Sequence, residues 1–321
     1  MKGLLVAGYG GHAGYAFAIA SELAMYADLD ILLPRGYEYL ENKFTSLGNI
    51  RYLTLPRKPL EPFHQSIHRW FMSLIESLGL VKQNYTFVLS TGSNFSIMPS
   101  LTLKFIKGNP LFTLEDVNRF SKPAKAVRVL SRAGAMVFLH WEEQLHLYPE
   151  GIVVGPVHEP AFYEPGDEGY VLVTLGTLGS RDAFDTIVNM DFEMAVVQTG
   201  DVDYKPYVSK KPSWIFFKYT NDLHKWLSKA SVIITHPGTT AVTARLAYGK
   251  PTVIVYTRRH APLYPKSDVE TLARKLNAHF IDRVDENTLT EAIEKAKKLS
   301  KPETGNGVKA IVDFILRFHG K

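Results

Sequence analysis

Residues 231–251 constrain the fold most, because they join a buried strand, a glycine turn and a helix. Residues 232–235 are a short β-branched run, which is typical of a buried parallel strand. His236-Pro237-Gly238 interrupts the run, and helix-forming residues follow until Gly249 and Pro251. A helix that starts directly after such a turn directs free backbone N–H groups at an anion above the strand. The stretch therefore predicts an α/β fold with a phosphate site at this strand end.

A second unit of the same kind opens the chain. Residues 2–7 predict a buried strand, and a loop with four glycines, residues 8–14, separates it from an apolar helix. The glycine spacing departs from the dinucleotide pattern G-x-G-x-x-G, and the next strand, residues 30–35, ends in arginine instead of an acidic ribose ligand. A nicotinamide cofactor is therefore not expected.

Strands and helical segments alternate along the whole chain, which predicts parallel sheets covered by helices. The predicted strands are residues 2–7, 30–35, 51–55, 85–90, 111–114, 135–140, 152–154, 170–175, 195–197, 214–217, 232–235, 252–255 and 280–281. Glycines or polar residues follow three more of these strands, as Thr91-Gly92-Ser93, Glu115 with Arg119, and Gly176-Thr177. Open α/β sheets bind ligands at the carboxyl ends of their strands, so these turns are candidate ligand sites.

The best boundary in the chain lies at residues 159–168, which are rich in proline, glycine and acidic residues. We predict two domains, residues 1–160 and 161–321, each built on a parallel sheet and facing the other across a cleft. A last helix, near residues 308–318, is apolar on one side and is expected to pack back on the first domain.

Composition excludes several classes of protein. The chain contains no cysteine, which excludes disulfide bonds, thiolate metal sites and a cysteine nucleophile, and fits a cytosolic protein. The formal net charge is +5 and no basic tail is present, so nucleic acid is not an expected partner. No apolar run reaches the roughly 20 residues of a membrane-spanning helix, and the start of the chain does not read as a signal peptide. We therefore expect a cytoplasmic protein.

Two surfaces of the first half have more than one interpretation. Apolar residues recur at helical spacing between Phe63 and Leu78. We favour a helix that packs this face on the sheet, and the alternative is a face that rests on a lipid bilayer with Trp70 at the interface. A basic stripe is formed by Lys122, Lys125, Arg128 and Arg132. The stripe is either simply solvated or contacts phosphates of a lipid or ligand.

Several short motifs occur in an order that resembles a known family. Those of the second half are Thr174-Leu175-Gly176-Thr177, His236-Pro237-Gly238-Thr239-Thr240 and Gly249-Lys250-Pro251. Together they resemble the nucleotide-sugar site of family 28 GT-B glycosyltransferases. Those of the first half are Gly10-Gly11-His12, Gln65-Ser66, Thr91-Gly92-Ser93, Glu115 with Arg119, and Tyr148-Pro149.

The first half is similar to the membrane-anchoring subunit of the two-subunit transferase that extends dolichyl-diphosphate-linked GlcNAc from UDP-GlcNAc. The second half is similar to the catalytic subunit of that enzyme. The whole chain thus resembles a fusion of both subunits, and more distantly the bacterial GlcNAc transferase that forms lipid II.

The resemblance implies a GT-B fold with two Rossmann-like domains and inverting transfer of a sugar. The implied donor is a nucleotide sugar, UDP-GlcNAc, and the implied acceptor is a polyprenyl-diphosphate-linked sugar on the inner face of the cell membrane, where the protein would bind peripherally. No metal and no cofactor are implied. The implied donor-binding residues are Gly176, Thr177, His236, Gly238, Thr239 and Thr240, assisted by Arg258 or Arg259. The implied acceptor and phosphate residues are Gly10, Gly11, Thr91, Gly92, Ser93 and Arg119.

The reaction needs a base to deprotonate the acceptor hydroxyl. His12 is the first candidate, because an imidazole titrates near neutrality, and Glu115 is the second. The chain departs from the family in three places. It lacks the amino-terminal membrane helix of the anchor subunit. Near the position of Ala244 the relatives have an acidic residue, which grips the ribose in the bacterial enzyme, and alanine cannot do this. The usual His-Gln-Gln pattern after the next strand is replaced by residues 268–271, where Asp268 or Glu270 is expected to take over sugar or ribose contacts.

Two other functions remain open from the residues. One is a GT-B-fold isomerase similar to the UDP-GlcNAc 2-epimerases, which binds the same donor but needs more acidic and arginine residues around the sugar. The other is a non-catalytic nucleotide-sugar-binding partner of another transferase. Incubation with donor alone distinguishes the isomerase, since only an isomerase forms the epimer.

Overall fold

The computed structural model describes residues 1–58, 61–259 and 261–320. The chain forms two compact units by its internal contacts: one comprises Met1–Glu159 together with the chain from Gly305 onward, and the other comprises Pro160–Thr304. We call these the first and the second unit.

The first unit contains a parallel sheet. Its strands are β1 (Lys2–Val6), β2 (Asp28–Pro34), β3 (Asn49–Leu53), β4 (Phe87–Ser90), β5 (Leu111–Leu114), β6 (Met136–Leu139) and β7 (Ile152–Val153), in the order β3-β2-β1-β4-β5-β6-β7. Its helices are α1 (Gly11–Leu23), α2 (Glu41–Phe44), α3 (Phe63–Leu78), α4 (Ile97–Lys107), α5 (Lys125–Arg132) and, after the second unit, α12 (Val308–Phe318). Buried strands of this kind are apolar on both faces, as in β1, where Leu4, Leu5 and Val6 have no exposed surface.

The second unit contains a second parallel sheet. Its strands are β8 (Val171–Thr174), β9 (Ala195–Gln198), β10 (Ile215–Phe217), β11 (Val232–Thr235), β12 (Thr252–Val255) and β13 (His279–Ile281), in the order β10-β9-β8-β11-β12-β13. Its helices are α6 (Arg181–Ile187), α7 (Lys205–Val208), α8 (Leu223–Lys229), α9 (Thr239–Val242), α10 (Lys266–Lys275) and α11 (Glu286–Lys297). Helix α9 continues as a π-helical turn, Thr243–Ala247. The predicted α/β class with two parallel sheets is confirmed.

Helix α12 packs against α1, within the first unit. An aromatic cluster joins α12 to the sheet: the ring of Phe314 lies edge-on to Phe112 and Phe138, with centroids 6.1 and 5.5 Å apart. Ile311, Val312 and Ile315 of the same helix are buried. The apolar side of this helix therefore completes the core of the first unit.

Helix α3 turns its apolar side outward. The side chains of Phe63, Ile67, Phe71, Ile75 and Leu78, which we call the apolar face, are 47–61% exposed. The buried residues of this helix are serines: Ser66, Ser73 and Ser77. The favoured interpretation, in which α3 buries its apolar face on the sheet, is therefore wrong.

The serine side of α3 is suited to burial for two reasons. Small side chains allow close packing, and α3 packs against α4. The hydroxyls of Ser66 and Ser77 donate to carbonyls of their own helix, at Phe63 (2.8 Å) and Ser73 (2.6 Å). Burial of these two hydroxyls therefore leaves neither without a hydrogen bond.

Candidate functional site

In the second unit, a glycine turn follows β11 as predicted. Gly238 is the N-cap of α9 and provides no side chain for the cap, and the first turn of the helix contains no acidic residue. The first N–H groups of a helix have no acceptor within it, so this end of α9 can bind an anion. Thr239 and Thr240 are half-buried in the same turn. The arrangement suits a phosphate group.

The imidazole of His236 is enclosed between two glycines. A Cβ added at Gly176 would lie 2.8 Å from Nε2 of His236, and one added at Gly238 would lie 3.0 Å from the same atom. A hydrogen bond joins the ring to the carbonyl of Thr174, and burial lowers the pKa of His236 to about 4. The imidazole is therefore neutral near pH 7 and cannot neutralise the charge of a ligand. Its single N–H is used by the Thr174 carbonyl, so its other nitrogen can only accept a hydrogen bond.

Hydrogen bonds from Asp201 and Arg259 hold the turn after β8 in place. The N–H of Asp201 donates to the carbonyl of Thr177 at 2.8 Å, and a Cβ at Gly200 would lie 2.3 Å from the same oxygen. The guanidinium of Arg259 donates to the carbonyl of Leu178 at 2.5 Å. Arg259 therefore brings a cation to this turn, and both Arg258 and Arg259 are exposed.

Two predicted donor contacts lie on α10. Asp268 is 2% exposed in the first turn of the helix, whereas the Glu270 carboxylate is exposed and lies 3.8 Å from the ammonium of Lys266. Their contacts with a sugar or ribose stay predictions.

Ala244 lies in the hydrophobic core of the second unit. Ala244 has no exposed surface and packs in a hydrophobic cluster of the second unit. The next residue, Arg245, is also fully buried, and its guanidinium donates to the carbonyls of Lys250 (2.7 Å), Leu276 (3.0 Å) and Ser300. Sequence reasoning missed this arginine, although a lone arginine within an apolar helical run is a signal for a buried, fully bonded cation.

In the first unit, two glycine turns meet beside β1. Gly8, Gly10 and Gly92 have positive φ angles of 69°, 57° and 84°, which favour glycine. The Ser93 hydroxyl is buried without a hydrogen-bond partner in the described part of the chain, 2.8 Å from where a Cβ at Gly8 would lie. Helix α1 begins at Gly11 with no side-chain cap and no acidic residue in its first turn. The two turns thus form a cradle, in which the first N–H groups of α1 and the Ser93 hydroxyl are donors suited to an anion. The Thr91 hydroxyl and the Gly92 N–H are already bonded within the protein and shape the cradle instead.

His12 lies in the first turn of α1, beside this cradle. Its Nδ1 lies 2.7 Å from the carbonyl oxygen of Thr91, so Nδ1 carries the proton and donates. Nε2 is then the unprotonated nitrogen, which is the form a general base needs. The side chain is 25% exposed, and Oδ1 of Asp116 lies 3.9 Å from Nδ1. Asp116 can therefore stabilise the imidazolium that forms when His12 takes a proton.

Asp116 was missed by the sequence reasoning. The sequence did contain a signal for it, because Glu115 and Asp116 both follow β5 directly and either carboxylate could contact the candidate base. Which of two adjacent side chains points outward depends on the backbone of the turn, and that is a tertiary property.

Glu115 is fully buried and faces inward. Its carboxylate accepts hydrogen bonds from the backbone N–H groups of Asp116 (2.7 Å) and Ala124 (3.1 Å) and from the Tyr148 hydroxyl (2.7 Å). Burial, together with the nearby Asp116 charge, raises the pKa of Glu115 to about 7. The geometry favours His12 over Glu115 as the group that meets a substrate. The half-buried Arg119 lies in the same turn, and its backbone carbonyl accepts a hydrogen bond from Gln144.

Buried histidines make the stability of the protein depend on pH. Burial lowers the pKa of His140 and of His236 from 6.5 to about 4. Between pH 4 and 6.5 the unfolded chain therefore binds more protons than the folded protein. The stabilising contribution of the two histidines is complete above pH 6.5 and is lost as the pH falls towards 4. Each histidine contributes about 3 kcal/mol at 1.36 kcal/mol per pKa unit.

Glu115 acts in the opposite direction, which allows a test by difference. Its pKa is raised from 4.5 to about 7. Its contribution is complete below pH 4.5 and is lost as the pH rises through 7. We expect Glu115→Gln to lose stability more steeply than the parent protein between pH 7 and 4.5, by up to about 3 kcal/mol. Urea unfolding at both pH values measures this, and parallel losses in the two proteins would contradict it.

Among the described residues, no group of three or more histidine, aspartate or glutamate side chains could hold a metal ion. The described helices also include none that is both long and apolar enough to cross a membrane.

Comparison with known proteins places the glycine turns of the second unit in a known domain. Residues 170–306 match the glycosyltransferase family 28 C-terminal domain. A full-length relative is the UDP-N-acetylglucosamine–N-acetylmuramyl-(pentapeptide) pyrophosphoryl-undecaprenol N-acetylglucosamine transferase of Caldicellulosiruptor saccharolyticus. The two proteins are 23% identical, and the match covers 96% of each chain.

Solved structures with the same architecture cover the whole chain. MurG of Acinetobacter baumannii is 17% identical, with a TM-score of 0.59 over 98% of this chain and 99% of its own. UDP-GlcNAc 2-epimerase of Neisseria meningitidis, bound to UDP-GlcNAc, is 15% identical, with a TM-score of 0.66 over 99% of this chain and 100% of its own. The two parallel-sheet units and these likenesses identify the fold as GT-B.

Proposed function

We propose that this protein, a GT-B glycosyltransferase with a family 28 C-terminal domain, transfers N-acetylglucosamine from UDP-GlcNAc to a lipid-linked acceptor. The observation that carries the proposal is the family 28 match, which includes both glycine turns of the second unit. The relative from Caldicellulosiruptor supports the lipid-linked acceptor, because its name describes transfer to a pyrophosphoryl-undecaprenol compound. A finer proposal is that the chain corresponds to a fusion of the two subunits of the dolichyl-dependent transferase.

The second unit is assigned to the donor. The start of α9, with Thr239 and Thr240, offers N–H and hydroxyl groups to the diphosphate, and Arg259 adds positive charge near Gly176 and Thr177. This stabilises the negative charge that develops on the leaving nucleotide as the glycosidic bond breaks. His236, being neutral, contributes to the shape of the site but adds no charge. The buried Ala244 leaves the ribose contacts to other residues, for which Asp268 and Glu270 are the candidates.

The first unit is assigned to the acceptor. Gly10, Gly11 and the turn Thr91-Gly92-Ser93 form the cradle for the acceptor diphosphate, with Arg119 as a neighbouring cation. His12 Nε2 takes the proton from the acceptor hydroxyl as that oxygen attacks the anomeric carbon of the sugar. Asp116 stabilises the resulting imidazolium. Attack opposite the departing nucleotide inverts the anomeric centre, so the product is a β-glycoside.

A membrane surface is the proposed partner of the apolar face. Phe105 and Ile106, on the neighbouring helix α4, are 70% and 54% exposed and lie between Lys104 and Lys107. The basic stripe adds exposed cations on α5 and, at Lys122, just before it. Apolar side chains bordered by lysine and arginine are typical of a surface that rests on anionic lipid. A lipid-linked acceptor would be met there, on the cytosolic side of the cell membrane.

The fold holds α3 near the strand ends that carry the candidate site. The Glu76 carboxylate accepts hydrogen bonds from the N–H of Thr54 (2.6 Å) and from Arg35 (3.1 Å). These two residues directly follow β3 and β2, so the contact fixes α3 at the carboxyl edge of the sheet. The proposed lipid surface and the phosphate cradle thus belong to the same edge of the first unit.

Removal of two side chains from the apolar face tests membrane binding. We expect Ile67→Ser with Phe71→Ser to weaken binding to anionic vesicles at least about tenfold, because each large apolar side chain contributes roughly 1.5 kcal/mol or more when buried. Flotation with phosphatidylglycerol vesicles at low salt measures the binding. The control is Met25→Ser with Phe318→Ser, which removes two exposed apolar side chains elsewhere. Equal binding by both double variants would contradict the proposal.

Product analysis tests the function itself. The protein is incubated with UDP-GlcNAc and either GlcNAc-diphosphodolichol or the N-acetylmuramyl-pentapeptide diphosphoundecaprenol, and the lipid products are analysed by mass spectrometry. A mass gain of one N-acetylhexosamine on either acceptor supports the proposal and identifies the acceptor class. Epimer formation from UDP-GlcNAc alone would instead favour the isomerase, and binding without turnover of any pair would favour a non-catalytic partner.

A further inference from the structure

We propose that Glu115, through its hydrogen bond with Tyr148, is a positioning residue that holds Asp116 against the base His12. The inference rests on the proposed role of His12. It assigns to the buried Glu115 a function that does not require contact with substrate, namely to fix the turn between β5 and α5.

The Glu115 carboxylate closes this turn at both ends. One oxygen accepts the N–H of Asp116, at the start of the turn, and the other accepts the N–H of Ala124, at its end. Ala124 is the N-cap residue of α5. The oxygen that accepts from Ala124 also accepts from the Tyr148 hydroxyl, which belongs to the segment after β6. One carboxylate thus joins three segments of the chain.

Side chains that follow β6 hold the backbone of the turn from a second direction. The carbonyl of Glu115 accepts from Nε2 of His140 at 2.8 Å, while Nδ1 of His140 accepts the N–H of Val157 at 3.0 Å, which defines the tautomer. Gln144 Nε2 donates to the carbonyls of Asp116 (2.8 Å) and Arg119 (2.9 Å). These contacts immobilise the backbone on each side of Asp116.

The turn is also tied to the helix that contains His12. The Tyr15 hydroxyl, one helical turn after His12 in α1, accepts the N–H of Val117 at 3.2 Å. The carbonyl of Val117 accepts from Nε1 of Trp141 at 2.8 Å. Asp116 and His12 are therefore held in one hydrogen-bonded frame.

This frame matters because the Asp116–His12 pair is not itself closely bonded. His12 Nδ1 and Asp116 Oδ1 lie 3.9 Å apart, and the side chains of Asp116 and His12 are partly exposed, at 19% and 25%. A partly solvated pair at this distance keeps its geometry only if the backbone beneath it is rigid. Displacement of a catalytic group by about 1 Å can cost about 100-fold in rate. Loosening of the turn should therefore reduce the catalytic step and leave substrate affinity unchanged.

A double-mutant cycle distinguishes positioning from a merely structural role. Tyr148→Phe removes one hydrogen bond to Glu115 and little else. In the parent protein we expect Tyr148→Phe to lower kcat about tenfold and to leave the KM values for UDP-GlcNAc and the lipid acceptor unchanged. In the Asp116→Asn background the same substitution should change kcat by less than about twofold. Glu115→Gln, which replaces an acceptor oxygen by a donor facing the N–H of Asp116, should show the same non-additivity.

Tyr85→Phe is the matched control. Tyr85 is also buried and also donates to a buried carboxylate, that of Asp30 at 2.6 Å, but β4 separates this pair from the catalytic edge. The control should leave kcat unchanged. Equal losses of kcat in the parent and the Asp116→Asn background, or an Asp116→Asn variant with full kcat, would overturn the inference. If His12→Ala retains full activity, the proposed base is wrong instead. Urea unfolding identifies any variant that fails to fold, and the other of the two variants, Tyr148→Phe or Glu115→Gln, then decides.

Discussion

Replacement of His12 by alanine is expected to lower kcat about 10²–10⁴-fold, the usual contribution of a general base. The reason is geometric, since the Thr91 carbonyl takes the Nδ1 proton and leaves Nε2 able to accept one. The binding constant for UDP-GlcNAc should not change, because the donor residues belong to the second unit. Steady-state kinetics with a saturating lipid acceptor and calorimetric titration of the donor measure the two quantities.

The control for this variant is His146→Ala, which removes an exposed histidine outside both sites. It should retain the parent kcat. A kcat of His12→Ala within about threefold of the parent would exclude His12 as the base, because general base catalysis is worth at least about 100-fold.

Gly176→Ala is expected to weaken donor binding about 10–100-fold and to destabilise the second unit. Gly176 has a φ angle of 74°, where an added Cβ alone costs about 1–2 kcal/mol. The new Cβ would also lie 2.8 Å from Nε2 of His236, so the ring must move. That ring borders Gly238 and the start of α9, where we place the diphosphate. Loss of one hydrogen bond to the charged diphosphate, worth about 1.5–3 kcal/mol, corresponds to the expected 10–100-fold loss of affinity.

A second glycine separates these two causes. Gly169 has a similar φ angle of 80°, and a Cβ added there would contact nothing within 4 Å. Gly169→Ala should therefore show the backbone cost in urea unfolding without loss of affinity for UDP-GlcNAc. Equal affinities of the two variants, measured by calorimetry, would show that His236 does not support the donor site.

His12 and the turn after β5 show which features of the candidate site can be predicted from local sequence and which cannot. Glycines beside a strand end identified the loops around Gly10, Gly92, Gly176 and Gly238, because a positive φ or a close backbone approach requires glycine wherever it occurs. His12 could be singled out because it lies within such a loop. The inward orientation of Glu115 and the outward one of Asp116 could not, since both follow β5 and differ only in what surrounds them.

Helix α3 shows the same limit on a larger scale. Its periodicity correctly indicated which side chains share a face, since residues three and four apart are neighbours on a helix. The pattern did not indicate which of the two faces packs against the rest of the protein. That depended on α4, against which the serine side packs, and on the contact of Glu76 with the ends of β2 and β3.

The sequence by itself determined the strands, their glycine turns and the parallel α/β class, because these follow from local patterns of burial and backbone freedom. Only the tertiary structure decided that Asp116 rather than Glu115 meets His12, that His236 is neutral, and that the apolar face is exposed. The physical reason is that orientation, desolvation and exposure are set by residues distant in the chain, such as Tyr148 for Glu115.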